Sequence, residues 1–313
     1  MSFSGNIKEE LSRQWNLARH CQIAELAAIL LMSGEIEKKS NQRYHVKVVT
    51  ENLAVARKFF TLIKKTFNIE ANALVRHNRM KNTTTYAVYI LESEDARRVV
   101  EATKLIHTSE EKQNPTSVRN IIIQQTCCKR AFIRGVFLCA GSISDPNKSY
   151  HFEVVCQTED MAEQVQSVIN SFAMEAKVVA RKKSFVVYLK EGSQIVDMLN
   201  IMEAHVALMH LENVRIVKEM RNHVNRKVNC ETANLNKTVL AAVRQKEDIL
   251  FIRDYKGFDD LPENLREIAR VRLEYPDATL KELGDLLSPP IGKSGVNHRL
   301  RKLSEIAEKL RET

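Results

Sequence analysis

Ala28-Ile-Leu-Leu-Met-Ser-Gly34-Glu35-Ile36 is an apolar run with the character of a buried helix, and it ends at a glycine. A second run of the same character, Gly135-Val-Phe-Leu-Cys-Ala-Gly141-Ser142-Ile143, repeats it later in the chain. Small residues let backbones approach closely, so we expect the two helices to pack against each other, with Gly141 at the contact. The small residues concerned are Ala28, Gly34, Gly135 and Gly141.

The segments that follow the two helical runs also correspond. Tyr44-His-Val-Lys-Val-Val49 matches Tyr150-His-Phe-Glu-Val-Val155, and both have the alternation typical of a strand. Each leads into an amphipathic helix, over residues 53–66 and 161–171. A second strand also matches, as Thr85-Tyr-Ala-Val-Tyr89-Ile90 and Ser184-Phe-Val-Val-Tyr188-Leu189. One unit of helix, hairpin, helix, hairpin and helix is therefore predicted twice.

The length of the repeat indicates how it arose. A repeat of about a hundred residues is too long for a solenoid unit and indicates the tandem duplication of a small domain. The sequence thus predicts an α+β, pseudo-twofold duplicated domain, with αββαββα repeated, over residues 1–213. The halves are expected at residues 1–115 and 116–213.

This arrangement resembles the LAGLIDADG homing endonuclease fold. The resemblance implies that the two motif helices form a central interface, while two four-stranded sheets make a saddle over DNA. In active members an acidic residue directly precedes the final motif glycine and holds a divalent metal at the scissile phosphate. Here Ser33 and Ala140 occupy those positions. Neither an alcohol nor a methyl group can localise a metal ion as a carboxylate does, so we expect no catalysis and no metal.

Basic residues precede the second hairpin of each half. The resemblance would place them at both ends of the saddle, where they could contact phosphates. Hairpin turns are also commonly basic without binding anything, so this interpretation stays open. The residues are Arg76, Arg79 and Lys81 in the first half and Arg181, Lys182 and Lys183 in the second.

Residues 214–236 form a basic segment in which apolar residues persist at helical spacing. We expect a basic helical linker, in which Arg221, Arg226 and Lys227 either contact phosphates or merely join two domains. A further apolar helix is expected after it.

The last segment, residues 237–313, has the pattern of a helix-turn-helix domain. Pro262 is expected to begin a helix whose buried stripe is Leu265, Ile268, Ala269 and Arg272. Thr279-Leu-Lys-Glu282 is a capping box, and its helix should bury Leu283, Leu286 and Leu287. We expect Ser294 to cap a final helix that buries Val296, Leu300, Leu303, Ala307 and Leu310. The candidate DNA-binding residues are Thr279, Lys293, Ser294, Asn297, His298, Arg299, Arg301 and Lys302. A plain three-helix bundle with a solvated face is the alternative.

Two runs make the resemblance more specific. Asn229-Cys-Glu-Thr-Ala-Asn and Lys293-Ser-Gly-Val-Asn-His-Arg-Leu-Arg-Lys302, together with the duplicated domain, are similar to the WhiA family over essentially the whole chain. The resemblance implies a bacterial DNA-binding protein, which is a sporulation regulator of transcription in actinomycetes and a cell-division and chromosome-segregation factor in firmicutes. It also implies a terminal domain similar to the promoter-reading region of sigma factors.

Composition agrees with a globular protein that has an anionic partner. The chain has 313 residues, is 44% hydrophobic and 28% charged, and carries a formal net charge of +9. The charge favours nucleic acid or a membrane surface. Because the amino terminus lacks an apolar signal region and no run of about eighteen apolar residues occurs, we expect a cytoplasmic, nucleoid-associated protein without membrane insertion.

The chain has six cysteines, namely Cys21, Cys127, Cys128, Cys139, Cys156 and Cys230. No pair has the two-residue spacing of a zinc knuckle, and Cys127 and Cys128 are adjacent. His20 beside Cys21, and His205 near His210, also lack companions at ligand spacing. We therefore interpret the cysteines as small core residues and expect no metal, no disulfide and no cofactor.

Double-stranded DNA is the expected partner, together with transcription or cell-division proteins. Two other hypotheses stay open. The repeat domain could be a docking scaffold for such proteins, with DNA bound only by the terminal domain. A nicking activity could also have been rebuilt from Glu35 and Asp145, although both acids lie outside the motif positions.

Overall fold

The structure is a computed structural model that describes residues 2–38, 44–80, 82–106 and 115–312. The chain divides into two compact units, Met1–Val217 and Lys218–Thr313. In the described part, no helix is long and apolar enough to cross a membrane.

The first unit contains the predicted duplication. Its helices are α1 (Phe3–Arg13), α2 (Arg19–Ser33), α3 (Leu53–Phe67), α4 (Ser93–Thr103), α5 (Thr126–Ala140), α6 (Glu159–Asn170) and α7 (Gly192–Met202). Its strands are β1 (Gly34–Lys38), β2 (Tyr44–Thr50), β3 (Asn72–Asn78), β4 (Thr83–Ile90), β5 (Leu105–Ile106), β6 (Ser117–Val118), β7 (Gly141–Ile143), β8 (Phe152–Cys156), β9 (Lys177–Arg181) and β10 (Ser184–Leu189). The order αββαββα therefore occurs twice, from α2 to α4 and from α5 to α7, and the predicted α+β class is confirmed.

Each half builds one antiparallel four-stranded sheet. The strand orders are β1-β2-β4-β3 and β7-β8-β10-β9, so the two sheets have the same topology. The registers also agree, because Gly34 pairs with Val48 and Gly141 pairs with Val154. Alternate residues of each strand point to opposite faces, and the buried ones, such as Val46 and Val48 in β2, face the helices.

The motif helices α2 and α5 are almost entirely buried and pack against each other. The closest approach is at Gly135, where an added Cβ would lie 2.6 Å from the carbonyl oxygen of Glu25 and 2.8 Å from the Cβ of Ala28. Only a glycine fits at this crossing, because both obstacles belong to the facing helix.

At Gly141 the atoms closest to an added side chain belong to its own helix and not to α2. A Cβ there would meet Phe137 of the same helix at 2.2 Å, and one at Gly34 would meet the carbonyl oxygen of Leu30 at 2.4 Å. Gly141 also has an ordinary extended φ of −84°, so its backbone conformation does not require a glycine. These two glycines allow the chain to turn back over its own helix into the first strand of each sheet.

A buried group of charges lies between α2, α3 and α5. Glu25 forms ion pairs with Lys58 and Arg134, each at 3.1 Å, and all three side chains are 1% exposed. Arg134 also pairs with Glu203 at 2.7 Å. Burial lowers the pKa of Lys58, and the Glu25 carboxylate opposes that shift. A buried charge is tolerated only when its partners remain, so this group makes the assembly of the three helices specific to these residues.

The long helix α8 (His205–Tyr255) begins in the first unit and ends in the second. The segment 214–236, predicted as a basic linker, lies within α8, and Arg221, Arg226 and Lys227 are exposed there. The predicted separate helix after residue 236 is part of the same helix. Because apolar spacing continues through the whole segment, the helix has no cause to stop.

The second unit continues with α9 (Glu263–Glu274), α10 (Leu280–Asp285) and α11 (Lys293–Arg311). Its core is formed by Ile249, Ile252, Leu261, Leu265, Ile268, Ala269, Leu283, Leu287, Val296, Leu300, Leu303 and Ala307. The predicted stripe of α9 is buried as expected, including Arg272, which is 3% exposed.

Local details of these helices both confirm and correct the sequence prediction. The capping box is confirmed: Thr279 Oγ1 accepts from the Glu282 amide at 3.3 Å, and the Glu282 carboxylate accepts from the Thr279 amide at 2.7 Å. Pro262 is the N-cap of α9 and not its first residue. Leu286 is 48% exposed, because α10 ends at Asp285 before this side chain can turn inward, and Leu310 is only half-buried.

Candidate functional site

The exposed face at the start of α11 is the first candidate site. Asn297, His298, Arg301 and Lys302 are exposed on this helix, while Val296 and Leu300 on its other side are buried. Lys293 and Ser294 in the first turn are also exposed. The helical repeat thus sets apolar anchors against the core and leaves a polar, basic face on the opposite side.

The prediction that Ser294 caps α11 is wrong. The N-cap is Gly292, and no side chain accepts a hydrogen bond from the first turn. Ser294 is the second residue of the helix, with an exposed side chain. The first amide groups of α11 are thereby left available to an anion, as is usual for uncapped helix starts.

Gly284 sets the position of α11 relative to α10. A Cβ on Gly284 would lie 2.2 Å from the carbonyl oxygen of Ile291 and 3.2 Å from Val296. The Ile291 amide donates to the carbonyl oxygen of Gly284 at 3.1 Å. The absent side chain therefore allows the turn to cross directly over α10, which fixes where the exposed face of α11 begins.

Arg299 differs from the other predicted site residues. Its guanidinium group pairs with Glu267 at 3.7 Å and donates to the carbonyl oxygen of Asn264 at 3.4 Å, and the side chain is 20% exposed. Arg299 therefore contacts α9 and helps to hold α11 in place. Arg301, by contrast, is 80% exposed and pairs with Glu305 at 3.3 Å. An exposed pair of this kind contributes about 0.3–0.5 kcal/mol and is easily exchanged for another partner.

Arg272 anchors the same assembly from inside. It donates to the carbonyl oxygen of Ala278 at 2.6 Å and to Gln245 Oε1 at 2.9 and 3.2 Å. Burial lowers the pKa of its guanidinium group, with Asp277 opposing the shift. The sequence stripe indicated that Arg272 would be buried, but these two acceptors are visible only in the folded unit.

The hairpins of the first unit carry the second set of predicted residues. Arg76 and Arg79 are exposed, and Lys81 lies outside the described residues. Arg181 is exposed but pairs with Glu153 at 3.4 Å, while Lys182 and Lys183 extend from the turn. Within the described residues, Arg76, Arg79, Lys182 and Lys183 form no ion pair.

The outer faces of the two sheets also carry acids. Glu35 of β1 pairs with Lys47 of β2 at 3.1 Å, and Glu153 of β8 receives both Arg181 and His151 at 3.4 Å. Positive charge is therefore partly neutralised on each face. The sequence pattern indicated the basic residues but not the acids placed opposite them by strand pairing.

The two positions where the homing endonuclease resemblance would place catalytic acids lie at the ends of the motif helices. Ser33 ends α2 and Ala140 ends α5. Next to them Cys139 hydrogen-bonds Ser33, and burial raises the pKa of the Cys139 thiol to about 11. The Lys8 ammonium group lies close by, 5.9 Å from the centre of the Phe137 ring, and burial lowers its pKa. A neutral thiol and an ammonium group cannot hold a divalent metal as paired carboxylates would.

The two acids considered for a rebuilt nuclease are engaged elsewhere. Glu35 lies on the outer face of β1 with Lys47. Asp145 accepts hydrogen bonds from the Asn147 backbone at 2.9 Å and side chain at 3.0 Å, and these bonds hold its pKa below the usual range. Neither residue belongs to the ends of α2 and α5.

The interpretation of the cysteines as small core residues is wrong for Cys127 and Cys230, which are exposed. It also missed a cluster, because His20, Cys21, Cys127 and Cys128 have their ligand atoms within 4.8 Å of one another. His20 and Cys127 are separated by the same number of positions as Gly34 and Gly141, and so are Cys21 and Cys128. The four residues therefore occupy equivalent positions in the two halves. The repeat could have indicated that they lie together, whereas the spacing of a linear zinc motif could not.

Three family models match the chain. They are the WhiA N-terminal LAGLIDADG-like domain over residues 19–106, the WhiA LAGLIDADG-like domain over residues 129–221 and the WhiA C-terminal HTH domain over residues 224–307.

The chain is also similar over its full length to proteins named as probable cell division proteins WhiA. One is a probable cell division protein WhiA of Lachnoclostridium phytofermentans, 55% identical over 313 residues and 100% of both chains. Another, of Alkaliphilus oremlandii, is 51% identical over 315 residues, which is 100% of this chain and 98% of the relative.

Among solved structures, full-length DUF199/WhiA from Thermatoga maritima matches with a TM-score of 0.61 and 23% identity over 99% of each chain. The N-terminal LAGLIDADG domain of DUF199/WhiA matches with a TM-score of 0.50 and 20% identity, over 64% of this chain and 90% of that one. These two likenesses show a shared fold. The sequence relatives show more, since they are about half identical over their full lengths: the chain belongs to the WhiA family.

Proposed function

We propose that this protein binds double-stranded DNA sequence-specifically and without catalysis, and that it acts in bacterial cell division, chromosome segregation and transcription regulation. The observation that carries the proposal is the start of α11, where Asn297, His298, Arg301 and Lys302 form one exposed face on a helix fixed by a helix-turn-helix core. Side chains at the start of such a helix read base edges in the major groove.

The proposal assigns a separate role to each part of the chain. Residues 237–313 would recognise DNA, residues 214–236 would join the domains through a basic helix, and residues 1–213 would form the duplicated platform. The relatives are named as cell division proteins, and we extend that role to this chain. A protein that binds chromosomal DNA would be found with the nucleoid.

Arg301→Ala tests the recognition helix. We expect binding to a preferred DNA site to weaken by about 1–3 kcal/mol, with little change on random duplex, because a bidentate contact to guanine discriminates by that amount. The side chain is exposed and, within the described residues, its ion pair is with exposed Glu305, so folding should be unaffected. Titrations of full-length protein on both duplexes measure the difference.

Arg270→Ala is the matched control, since Arg270 is an exposed cation of α9 in the same unit. It should leave the ratio of the two affinities unchanged. If Arg301→Ala weakened both duplexes equally, α11 would not be the specificity element.

The hairpin residues should behave differently from Arg301. Changing Arg181, Lys182 and Lys183 to alanine should weaken both duplexes alike and reduce the salt slope by up to about three, because each lost phosphate contact releases about one counterion fewer. The pair between Arg181 and Glu153 competes with a phosphate for this guanidinium group, so Lys182 and Lys183 should account for most of the change. A full salt slope in the triple variant would show that this hairpin does not contact DNA.

Supercoiled plasmid incubated with Mg²⁺ or Mn²⁺ tests the absence of catalysis. We expect no nicking, because Ser33 and Ala140 supply no carboxylate and Lys8 brings a cation to the same region. Nicking that required the metal and disappeared in Glu35→Gln would refute this part of the proposal.

One observation favours a protein-docking role for the first unit. A groove of about 420 Å³ lies between α3 and the hairpin formed by β3 and β4. Its walls include Phe60, Leu74, Val75 and Tyr86. Leu74 is 40% exposed and Val75 is 60% exposed. Exposed apolar residues in this groove suit a protein partner better than phosphate, so a transcription or cell-division protein is the second candidate ligand. Loss of co-purifying partners in Val75→Asp, with DNA binding retained, would support it.

A further inference from the structure

The two halves of the first unit place chemically similar residues at equivalent positions. His20 and Cys21 occupy the first turn of α2, and Cys127 and Cys128 occupy the first turn of α5. These are the same positions of the duplicated motif helix, counted back from Gly34 and Gly141. The pseudo-twofold relation therefore brings two dipeptides together across the helix pair.

The distances among their ligand atoms are short. His20 Nδ1 lies 3.1 Å from Cys128 Sγ, 3.4 Å from Cys21 Sγ and 4.0 Å from Cys127 Sγ. All four ligand atoms lie within 4.8 Å of one another. In a tetrahedral zinc site with Zn–S bonds of about 2.3 Å and a Zn–N bond of about 2.0 Å, neighbouring ligand atoms are about 3.5–3.8 Å apart. The cluster needs only small side-chain adjustments to reach that geometry.

We propose that His20, Cys21, Cys127 and Cys128 bind one Zn²⁺ ion, which links the amino-terminal ends of the two motif helices. Three thiolates and one imidazole are the ligand set of a closed structural zinc site, with no position left for water or substrate. Soft thiolate ligands favour zinc over Mg²⁺ or Mn²⁺, which distinguishes this site from the metal chemistry of the related nucleases.

The protein surroundings explain why a metal would matter here. Burial and the neighbouring thiols raise the pKa of Cys21 to about 12, and the same causes raise the pKa of Cys128. Zinc binds cysteine as the thiolate, so binding releases protons, and the positive ends of the two helix dipoles stabilise the thiolates that form.

The site lies far from the lost catalytic positions. Ser33 lies thirteen positions after His20 on α2, which corresponds to about 20 Å along a helix. A metal here would not take part in phosphodiester chemistry. It would link the two halves at the amino-terminal ends of α2 and α5, whereas Ser33 and Ala140 lie at the carboxyl-terminal ends. At the amino-terminal ends Cys21, Ala24, Cys128 and Ala131 form only a small apolar cluster.

The test uses full-length protein purified without a polyhistidine tag and kept reduced. We expect about one zinc per chain by elemental analysis, and titration with Co²⁺ should produce the absorption bands of tetrahedral thiolate coordination. Cys127→Ser should weaken metal binding by at least tenfold, since even changes outside the ligand shell cost about 10–100-fold. A strong chelator should lower the melting temperature of the original protein but not that of Cys127→Ser.

Cys230→Ser is the matched control, because Cys127 and Cys230 are both exposed and Cys230, on α8, is not one of the four clustered residues. It should bind zinc like the original protein, and both variants should fold. Equal affinity for zinc in Cys127→Ser and the original protein would overturn the proposal. So would the absence of both zinc and cobalt absorption, or a disulfide that forms among these cysteines in protein with no affinity for metal.

Discussion

Replacing Glu25 with leucine should lower the free energy of unfolding of the first unit by about 3–5 kcal/mol, because it leaves two buried cations without their shared partner. Lys58 and Arg134 both pair with Glu25 at 3.1 Å and are 1% exposed. Burial already lowers the pKa of Lys58, and the loss of the carboxylate removes the main opposing contribution. The folded variant must then either bury the charges of Lys58 and Arg134 without the carboxylate or deprotonate Lys58, and both lower its stability.

Denaturant unfolding followed by tryptophan fluorescence measures this effect. Trp15 is the single tryptophan of the chain and lies beside Lys58, 5.9 Å from its ammonium group, so it reports on the first unit alone. Glu25→Gln should also destabilise, to a smaller extent, because the amide keeps an acceptor but not the charge.

Two further variants separate the cause from general damage to the fold. Glu101→Leu removes the partner of Arg97 in an exposed pair and should change the stability very little, because solvent screens such pairs. Adding Lys58→Met and Arg134→Met to Glu25→Leu should recover much of the lost stability, since a buried charge cluster replaced as a whole by apolar residues is often neutral. If the triple variant were less stable than Glu25→Leu alone, unpaired charge would not be the cause.

Replacing Gly135 with valine should cost about 3 kcal/mol or more, at the upper end of the range for overpacked cores. The new side chain would begin 2.6 Å from the carbonyl oxygen of Glu25 and 2.8 Å from Ala28 Cβ. The first obstacle is backbone, so no rotamer change can relieve it, and α2 and α5 must separate. The same fluorescence measurement reports the loss, and Gly135→Ala provides a smaller test if the valine variant does not fold.

Gly192→Ala is the matched control, because a Cβ there meets the Tyr150 ring at an ordinary 3.4 Å. It should be neutral or slightly stabilising, given the higher helix propensity of alanine. Ala28→Gly combined with Gly135→Ala should recover part of the loss, since it removes the side-chain obstacle but not the carbonyl. Equal stabilities for Gly135→Ala and Gly192→Ala would show that the helices do not meet at Gly135.

The sequence determined the features that depend on local pattern. The repeated apolar runs and alternating segments gave two copies of αββαββα, and the Thr279 and Glu282 box gave the start of α10. Helix periodicity and capping involve residues within a few positions of each other, so they can be inferred before the chain is folded. The absence of a carboxylate at Ser33 and Ala140 is likewise read directly from the repeat.

Only the tertiary structure decided which residues from different elements meet. The sequence offered four small residues for the helix contact, and Gly135 with Ala28 forms the closest approach, because the crossing point depends on how α2 and α5 pack and not on where each helix ends. Glu25, Lys58 and Arg134 look like ordinary charged residues until three helices exclude water around them. His20, Cys21, Cys127 and Cys128 have no linear metal-binding spacing, and they form a cluster only because the fold brings two distant helix starts to the same point.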